Sequence, residues 1–212
     1  MAAAIEVSLA WRELSQSHQV LGALKGADPA NVVVLDMSHN ELADLSFLAS
    51  FPAVITVVCD HNSVTDLGIN SIPLLSRAET LSLNANQLTN LTKCINSIQR
   101  ACPKLLHLSL LGNACCPNYL TQNGSPKAYA DYRKFVAAKL PGLRTLDGVR
   151  VTEKEVSEGK KLYGGKKARS ADASGKKSVV IKKEAPKKKS AKQEQAKIIE
   201  DDDEYWTSGD EL

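Results

Sequence analysis

The sequence predicts an α/β solenoid of about five to six repeats, with a short parallel sheet on its concave face. Helical caps are expected at both ends, followed by a disordered C-terminal tail. Two observations support this. A pattern of apolar residues and one asparagine recurs through the first 150 residues, and an abrupt change of composition follows it. Repeats of this size cannot bury a core alone, so they stack into a continuous one.

The repeated pattern has apolar residues at its first, fourth, sixth and eleventh positions and asparagine at its ninth. Four copies match it in full, and they begin at Val32, Val54, Ala78 and Leu105. A degenerate copy begins at Ala4, with Arg12 in the asparagine position, and a truncated copy begins at Leu143. This is the leucine-rich repeat pattern, in which the apolar side chains point inward and stack on their equivalents in the next repeat.

The asparagine of each repeat is predicted to be structural. The strand turns sharply after its last apolar position, and an amide side chain offers both an acceptor and donors to the backbone groups left in that turn. The predicted asparagine ladder consists of Asn40, Asn62, Asn86 and Asn113. The same register places Cys59 and Cys115 at apolar positions, where we expect small buried side chains. An odd count of five cysteines without a signal peptide favours free thiols.

Between the strands, residues 44–48 predict a single helical turn and residues 89–101 a helix that ends before Pro103. At the N-terminus, residues 13–25 predict a helical cap. The side chains expected to cover the first repeat are Leu14, Val20, Leu21 and Leu24.

The C-terminal cap is predicted to begin with Ser125 as a helix N-cap and Pro126 as the first helical residue. One face of this helix is expected to carry Tyr129, Tyr132, Val136 and Leu140. Residues 143–148 then predict the last edge strand of the sheet.

Charge divides the rest of the chain. Residues 1–150 carry 12 basic and 11 acidic side chains, residues 159–197 carry 14 basic and 3 acidic, and residues 198–212 carry 7 acidic and no basic ones. The predicted domains are a repeat domain over 1–152, whose C-terminal cap spans about 119–152, a basic disordered linker over 153–197 and an acidic linear motif over 198–212. No apolar run reaches the roughly 18 residues of a membrane span.

No catalytic constellation is apparent, so we predict neither an enzyme nor a cofactor or metal site. Function is instead expected on the concave strand face. The repeat register aligns Trp11 with two histidines on adjacent strands, beside aspartates, and Trp is a frequent interface anchor. The predicted partner-binding residues are Trp11, Asp36, Ser38, His39, Val58, Asp60, His61, Ser82 and Asn84. The alternative is an ordinary polar sheet face with Trp11 packed under the N-terminal cap.

The tail carries two further signals. The basic stretch first indicates a solvated tether, and its alternatives are a nuclear-import or nucleic-acid-binding segment and a segment that contacts acidic polymers such as RNA or tubulin tails. The last residues combine an acidic run with adjacent aromatic side chains, which gain burial only in a complex. The predicted motif residues are Tyr205, Trp206, Asp210, Glu211 and Leu212.

The residues from Tyr132 to Gly148 resemble the C-terminal cap of intracellular leucine-rich repeat proteins, a group that includes the spliceosomal A-prime protein, acidic nuclear phosphoproteins and axonemal proteins. A narrower resemblance, to the leucine-rich melanocyte differentiation-associated proteins, covers about residues 32–152. It lies in residues 108–113, then Cys116, Pro117 and Asn118, followed by the helix with Tyr132 and Arg133. Departures are the repeat copy at 4–14 and the Lys-rich tail.

That resemblance implies a monomeric, cytoplasmic adaptor associated with endosomes or vesicles. Its concave face would bind an active Rab-family small GTPase, and its tail would bind the endosomal retriever complex. A small-molecule substrate is not expected. Two alternatives stay open: a nuclear protein of the spliceosomal or phosphoprotein type, and a ciliary structural protein with a tubulin-binding tail.

Overall fold

The computed structural model describes residues 3–117 and 125–164. They form a succession of strands and short return segments around one apolar core. The strands are β1 (Ile5–Ser8), β2 (Val32–Asp36), β3 (Thr56–Val58), β4 (Thr80–Ser82), β5 (His107–Ser109), β6 (Thr145–Leu146) and β7 (Val149–Arg150). They make one sheet in chain order, parallel from β1 to β6 and antiparallel between β6 and β7. The α/β leucine-rich repeat prediction is confirmed.

The helices lie in the return segments and caps. They are α1 (Ser17–Ala23), α2 (Leu91–Ala101), α3 (Pro126–Lys139) and α4 (Glu153–Tyr163). Three other segments form short 3₁₀ helices, and these are Pro29–Asn31, Ser46–Ser50 and Gly68–Ser71. The single turn predicted for 44–48 is therefore a 3₁₀ turn that begins two residues later. The returns from β2 to β3 and from β3 to β4 form 3₁₀ turns, whereas the longer return from β4 to β5 forms α2.

The core consists of the inward positions of every repeat. In β2 these are Val32 and Leu35, and in the next repeat they are Val54, just before β3, and Val57 within it, all essentially inaccessible to solvent. Cys59 and Cys115 are buried at their apolar positions, and desolvation raises the pKa of the Cys59 thiol far above its usual value. A buried thiol that resists ionisation is a poor nucleophile.

A ladder of asparagine side chains lines the turns after the strands. Asn86 is typical: its Oδ1 accepts from the Val64 N–H at 3.0 Å, and its Nδ2 donates to the carbonyls of Cys59 at 2.9 Å and Leu83 at 3.0 Å. The other members, each with the same two kinds of bond, are Asn40, Asn62 and Asn113. Each asparagine therefore forms hydrogen bonds with backbone groups of its own repeat and of the repeat before it.

The N-terminal cap is shorter than predicted. Helix α1 covers residues 17–23, not 13–25, and buries Val20, while Leu14 and Leu24 beside it are also buried. Leu21 is 43% exposed, so its predicted contact with the first repeat is wrong. It follows Val20 directly and therefore points about 100° away around the helix.

The helix boundaries of the C-terminal cap are as expected. Ser125 Oγ accepts from the Ala128 N–H at 3.1 Å, and Pro126 occupies the first turn of α3. One face of α3 buries Tyr132 and Val136. Asn90 caps α2 in the same way, accepting from the Lys93 N–H at 3.0 Å.

Two predictions for the C-terminal part need correction. Residues 143–148 do not form the last edge strand, because Asp147 and Gly148 both adopt positive φ and turn the chain back into β7. A two-residue loop with both φ values positive is the preferred connection of a tight hairpin, and Asp-Gly favours it. The domain boundary at 152 is also too early, because α4 packs on α3 as part of the folded unit. A capping box between Thr152 and Glu155 begins that helix.

Candidate functional site

The concave face is built from the strand positions that alternate with the buried ones. Side chains in a strand point to opposite faces in turn, so the residue between two core positions faces out. The pairing register places Asp36 beside Ser8 on one side and Val58 on the other, and Val58 beside Ser82. The predicted row of neighbouring outward side chains is therefore present in the structure.

An aromatic stack runs along one edge of this face. The ring of His39 lies between those of Trp11 and His61, with centroid distances of 3.8 Å and 4.3 Å and interplanar angles of 8° and 9°. Trp11 is 72% exposed. It therefore does not pack under the N-terminal cap, which was the alternative that the sequence left open.

Backbone geometry explains why these rings stack. Trp11, His39 and His61 have φ of 59°, 56° and 53°, and the row continues with Ala85 at 50° and Gly112 at 76°. Left-handed backbone is uncommon for residues other than glycine, and a bulky residue such as tryptophan rarely adopts it. Because the same turn recurs at each repeat, the side chains leave the backbone in the same direction and the planar ones lie face to face.

Asp36 organises the polar side chains of the first two repeats. Its carboxylate accepts from the Ser8 hydroxyl at 3.0 Å, from the Ser38 N–H at 2.9 Å and from the Ser38 hydroxyl. Desolvation raises the pKa of this carboxyl, but the hydrogen bonds from Ser38 and Ser8 outweigh it, so the net pKa lies below its ordinary value of 3.8. Asp36 is thus a preorganised negative charge near neutral pH.

Asp60 and Asn84 link the next repeats. Asp60 accepts from the Ser82 hydroxyl at 2.7 Å and from the backbone and side-chain N–H groups of Asn84 at 2.8 Å and 3.0 Å. Asn84 Oδ1 in turn accepts from the Ser109 hydroxyl at 2.6 Å and the Leu111 N–H at 2.8 Å. The predicted polar residues therefore form a network that fixes their orientation before any partner binds.

The sequence did not point to the C-terminal end of this face. There, His107 Nδ1 lies 2.8 Å from Thr145 Oγ1, and a cavity of about 510 Å³ is lined by His107, Thr145, Arg144 and Arg150 among others. These residues lie within a span of 44 positions, 107–150, and the truncated repeat and the hairpin bring them together in space. The pairing of Thr145 with His107 and with Arg150 makes these residues neighbours.

Several predicted features have a limited counterpart in the structure. The tail residues Tyr205, Trp206, Asp210, Glu211 and Leu212, with most of the basic stretch, lie outside the described residues. Within 3–117 and 125–164, no three side chains of metal-binding type lie close enough to hold an ion. No helix in that part of the chain is both long and apolar enough to cross a bilayer.

Several known proteins are similar to this chain in sequence. No family model matches the chain. It is 37% identical to the human leucine-rich melanocyte differentiation-associated protein over 128 residues, which cover 58% of this chain and 64% of that protein. It is 34% identical to human leucine-rich repeat-containing protein 56 over 65% of this chain and 25% of that one. It is 32% identical to U2 small nuclear ribonucleoprotein A′ of Arabidopsis thaliana over 68% of this chain and 52% of that one.

The match thus spans from a quarter to just under two thirds of the length of these relatives. Among solved structures, a chain of the Drosophila melanogaster SNF/U2A′ complex superposes with a TM-score of 0.53 at 21% identity, over 76% of this chain and 82% of that chain. That likeness shows the fold. The recognition made from the repeat and cap residues is confirmed, and the chain is a leucine-rich repeat protein that resembles the leucine-rich melanocyte differentiation-associated protein.

Proposed function

We propose that the chain is a non-enzymatic protein-interaction adaptor whose concave face binds a folded partner. The observation that carries this proposal is the exposed stack of Trp11 on His39 and His61 beside the fixed carboxylates of Asp36 and Asp60. An aromatic anchor next to preorganised polar groups is the usual composition of an interface hot spot. Because the polar groups already satisfy one another, little side-chain entropy is lost when a partner docks.

The finer form of this proposal names two partners. By its resemblance to the melanocyte protein, the concave face takes an active Rab-family small GTPase, and the tail motif takes the endosomal retriever complex. The acidic run and the adjacent aromatic residues Tyr205 and Trp206 support a tail motif of this kind. The protein would then act in the cytoplasm on endosomes or vesicles, and the tail would raise the effective concentration of one partner near the other.

A second candidate is a nuclear role, supported by identities of 32%, 28% and 27% to three U2 small nuclear ribonucleoprotein A′ proteins. In this form the partner is a component of a ribonucleoprotein, and the basic stretch 159–197 serves import or RNA contact. Localisation of the full chain, with and without residues 165–197, separates the candidates. Vesicular staining supports the adaptor, nuclear staining supports the second candidate, and ciliary staining supports a structural role with tubulin.

Binding to the concave face is tested with the full chain and a panel of small GTPases loaded with GTP or GDP. We expect the double variant Trp11→Ala, His61→Ala to abolish capture. Leu67→Ala is the matched control, because Leu67 is another large exposed apolar side chain, on a return segment away from the strands. Equal capture by the wild-type chain and the double variant, with native circular dichroism, would refute binding through the aromatic stack.

A further inference from the structure

Strand β1 ends the sheet with an unpaired edge. Within residues 3–117 and 125–164, no strand pairs with β1 on the side away from β2. The other end of the sheet differs, because the carbonyl of Arg150 in β7 accepts from Arg133 Nη2 at 3.0 Å. The β1 edge therefore presents backbone groups that can template a further strand.

The repeat shows which groups of β1 face outward. The N–H groups of Leu9 and Trp11 donate to the carbonyls of Asp36 and Ser38 at 2.7 Å and 3.2 Å. The carbonyl groups of Asp36 and Ser38 therefore point toward β1, the preceding strand. Their equivalents in β1, one repeat earlier, are Ser8 and Ala10. The carbonyls of Ser8 and Ala10 therefore face the open edge, with the geometry that accepts hydrogen bonds from a preceding parallel strand.

The aromatic stack ends at the same edge. His39 covers one face of the Trp11 ring, and Trp11 is nevertheless 72% exposed. Neighbouring strands lie about 4.8 Å apart, and the rings follow that spacing closely enough to stack. A residue at the equivalent position of an added strand would therefore lie over the open face of Trp11.

The charge of Glu6 sets a second requirement for an added strand. Glu6 is exposed on β1 and takes part in none of the ion pairs that the described residues form. It lies five residues before Trp11. Opposite charges on directly neighbouring strand positions stabilise a pair of strands. A basic residue five positions before the stacking residue would therefore match this edge.

We propose that an extended segment of a partner protein adds to β1 as a parallel strand, with an aromatic side chain stacked on Trp11 and a basic side chain opposite Glu6. A polypeptide is the occupant because the edge needs donors and acceptors at strand spacing. The motif is a basic residue, four variable residues and an aromatic residue. This docking site lies at the edge of the sheet and does not require the concave-face interaction.

The probe is a displayed library of random ten-residue peptides, selected on the full chain and counter-selected on Trp11→Ala. We expect enrichment of peptides with the basic and aromatic residues at the proposed spacing. Synthetic copies should bind Trp11→Ala about two- to tenfold more weakly than the wild-type chain, since one stacked pair is lost. Leu67→Ala is the control and should bind as the wild-type chain does. The proposal is overturned if no peptide is enriched or if the enriched peptides bind Trp11→Ala as tightly as the wild-type chain.

Two measurements separate the edge from the concave face. Ser8→Pro removes the outward N–H of β1, whereas the matched Ser8→Ala keeps it, and both lose the hydroxyl bond to Asp36. We expect about tenfold weaker peptide binding to Ser8→Pro than to Ser8→Ala. In the wild-type chain, the peptide should slow amide hydrogen exchange at Ser8 and Ala10. Unchanged exchange there overturns strand addition even if the proline variant fails to fold, and it leaves the concave-face proposal intact.

Discussion

Arg133 Nε lies 2.5 Å from Glu155 Oε1 and joins α3 to α4 across a nearly buried contact. The same guanidinium donates to the carbonyls of Leu146 at 2.9 Å and Arg150 at 3.0 Å. One side chain therefore ties together both cap helices and the β6–β7 hairpin. Its loss removes a donor from each of the two carbonyl groups and the cation from a carboxylate that keeps its hydrogen bonds from Thr152.

We expect Arg133→Ala to lower the free energy of unfolding by about 3 kcal/mol or more, the usual cost of removing one partner of a buried pair. Lys134→Ala is the matched control, since it removes a cation from the neighbouring position of α3 that pairs with Glu158 nearer the surface. Urea unfolding followed by circular dichroism measures both. Equal losses for the two variants would show that the Arg133 contacts contribute no more than a surface ion pair.

The same pair predicts how stability depends on pH. Desolvation raises the pKa of Glu155, but hydrogen bonds from Arg133 and Thr152 outweigh it, so the folded-state pKa lies below its ordinary value of 4.5. A group with a lowered folded-state pKa contributes stability above its unfolded pKa, and that contribution is lost as the pH falls through the folded value.

The wild-type chain should therefore be more stable than Glu155→Gln by a constant amount from pH 7 down to about 5, and the difference should shrink below pH ~4. Thermal unfolding of both proteins across this range measures the difference. If the gap at pH 3 is as wide as at pH 7, the Glu155 carboxylate is not the source of the stabilisation.

Asn86→Ala tests the asparagine ladder. The substitution leaves the Val64 N–H without its side-chain acceptor, and an unpaired buried group costs about 1–3 kcal/mol. It also removes one of the two amide donors from each of the carbonyls of Cys59 and Leu83. Asn96→Ala is the control, because Asn96 is exposed on α2. A melting temperature of Asn86→Ala equal to that of the control would contradict the structural role.

Gly159 fixes the approach of α4 to α3. A Cβ at this position would lie 2.1 Å from the Lys134 carbonyl oxygen, so Gly159→Ala must push the helices apart. Gly22→Ala in α1 is the matched control, because nothing lies within 4 Å of its Cβ position. We expect the first variant to destabilise by about 1–3 kcal/mol through overpacking and the second to be neutral or stabilising by up to about 1 kcal/mol. Differential scanning calorimetry ranks them, and the reverse order would refute the close contact.

The repeat domain could be predicted from sequence because its spacing is local and regular. The positions of Asn40, Asn62, Asn86 and Asn113 set the strand register, and the register alone aligned Trp11 with the histidines. The face-to-face stacking could not be predicted in the same way. It depends on left-handed φ at each of these residues, a conformation that a tryptophan side chain does not favour.

The C-terminal cap shows where composition misleads. The Thr152–Glu155 capping box can be recognised in the sequence, but the lysines that follow it resemble the basic stretch, and composition therefore predicts an end at residue 152. What holds α4 is the long-range contact of Glu155 with Arg133 and the close packing of Gly159 on Lys134, which no local pattern encodes. The Asp147–Gly148 dipeptide is compatible with a tight turn, but the sequence alone does not predict its positive φ values or the hairpin that they form.

The direction of the asparagine ladder has a consequence for synthesis on the ribosome. Asn62 bonds the Leu42 N–H and the Met37 carbonyl of the repeat before it, and Asn40 does the same for Leu14 and Leu9. Each turn is therefore synthesised before the side chain that completes it. The nascent domain gains its final hydrogen bonds one repeat late, and the last of them waits for Asp147, whose carboxylate accepts from the Leu110 N–H at 2.8 Å.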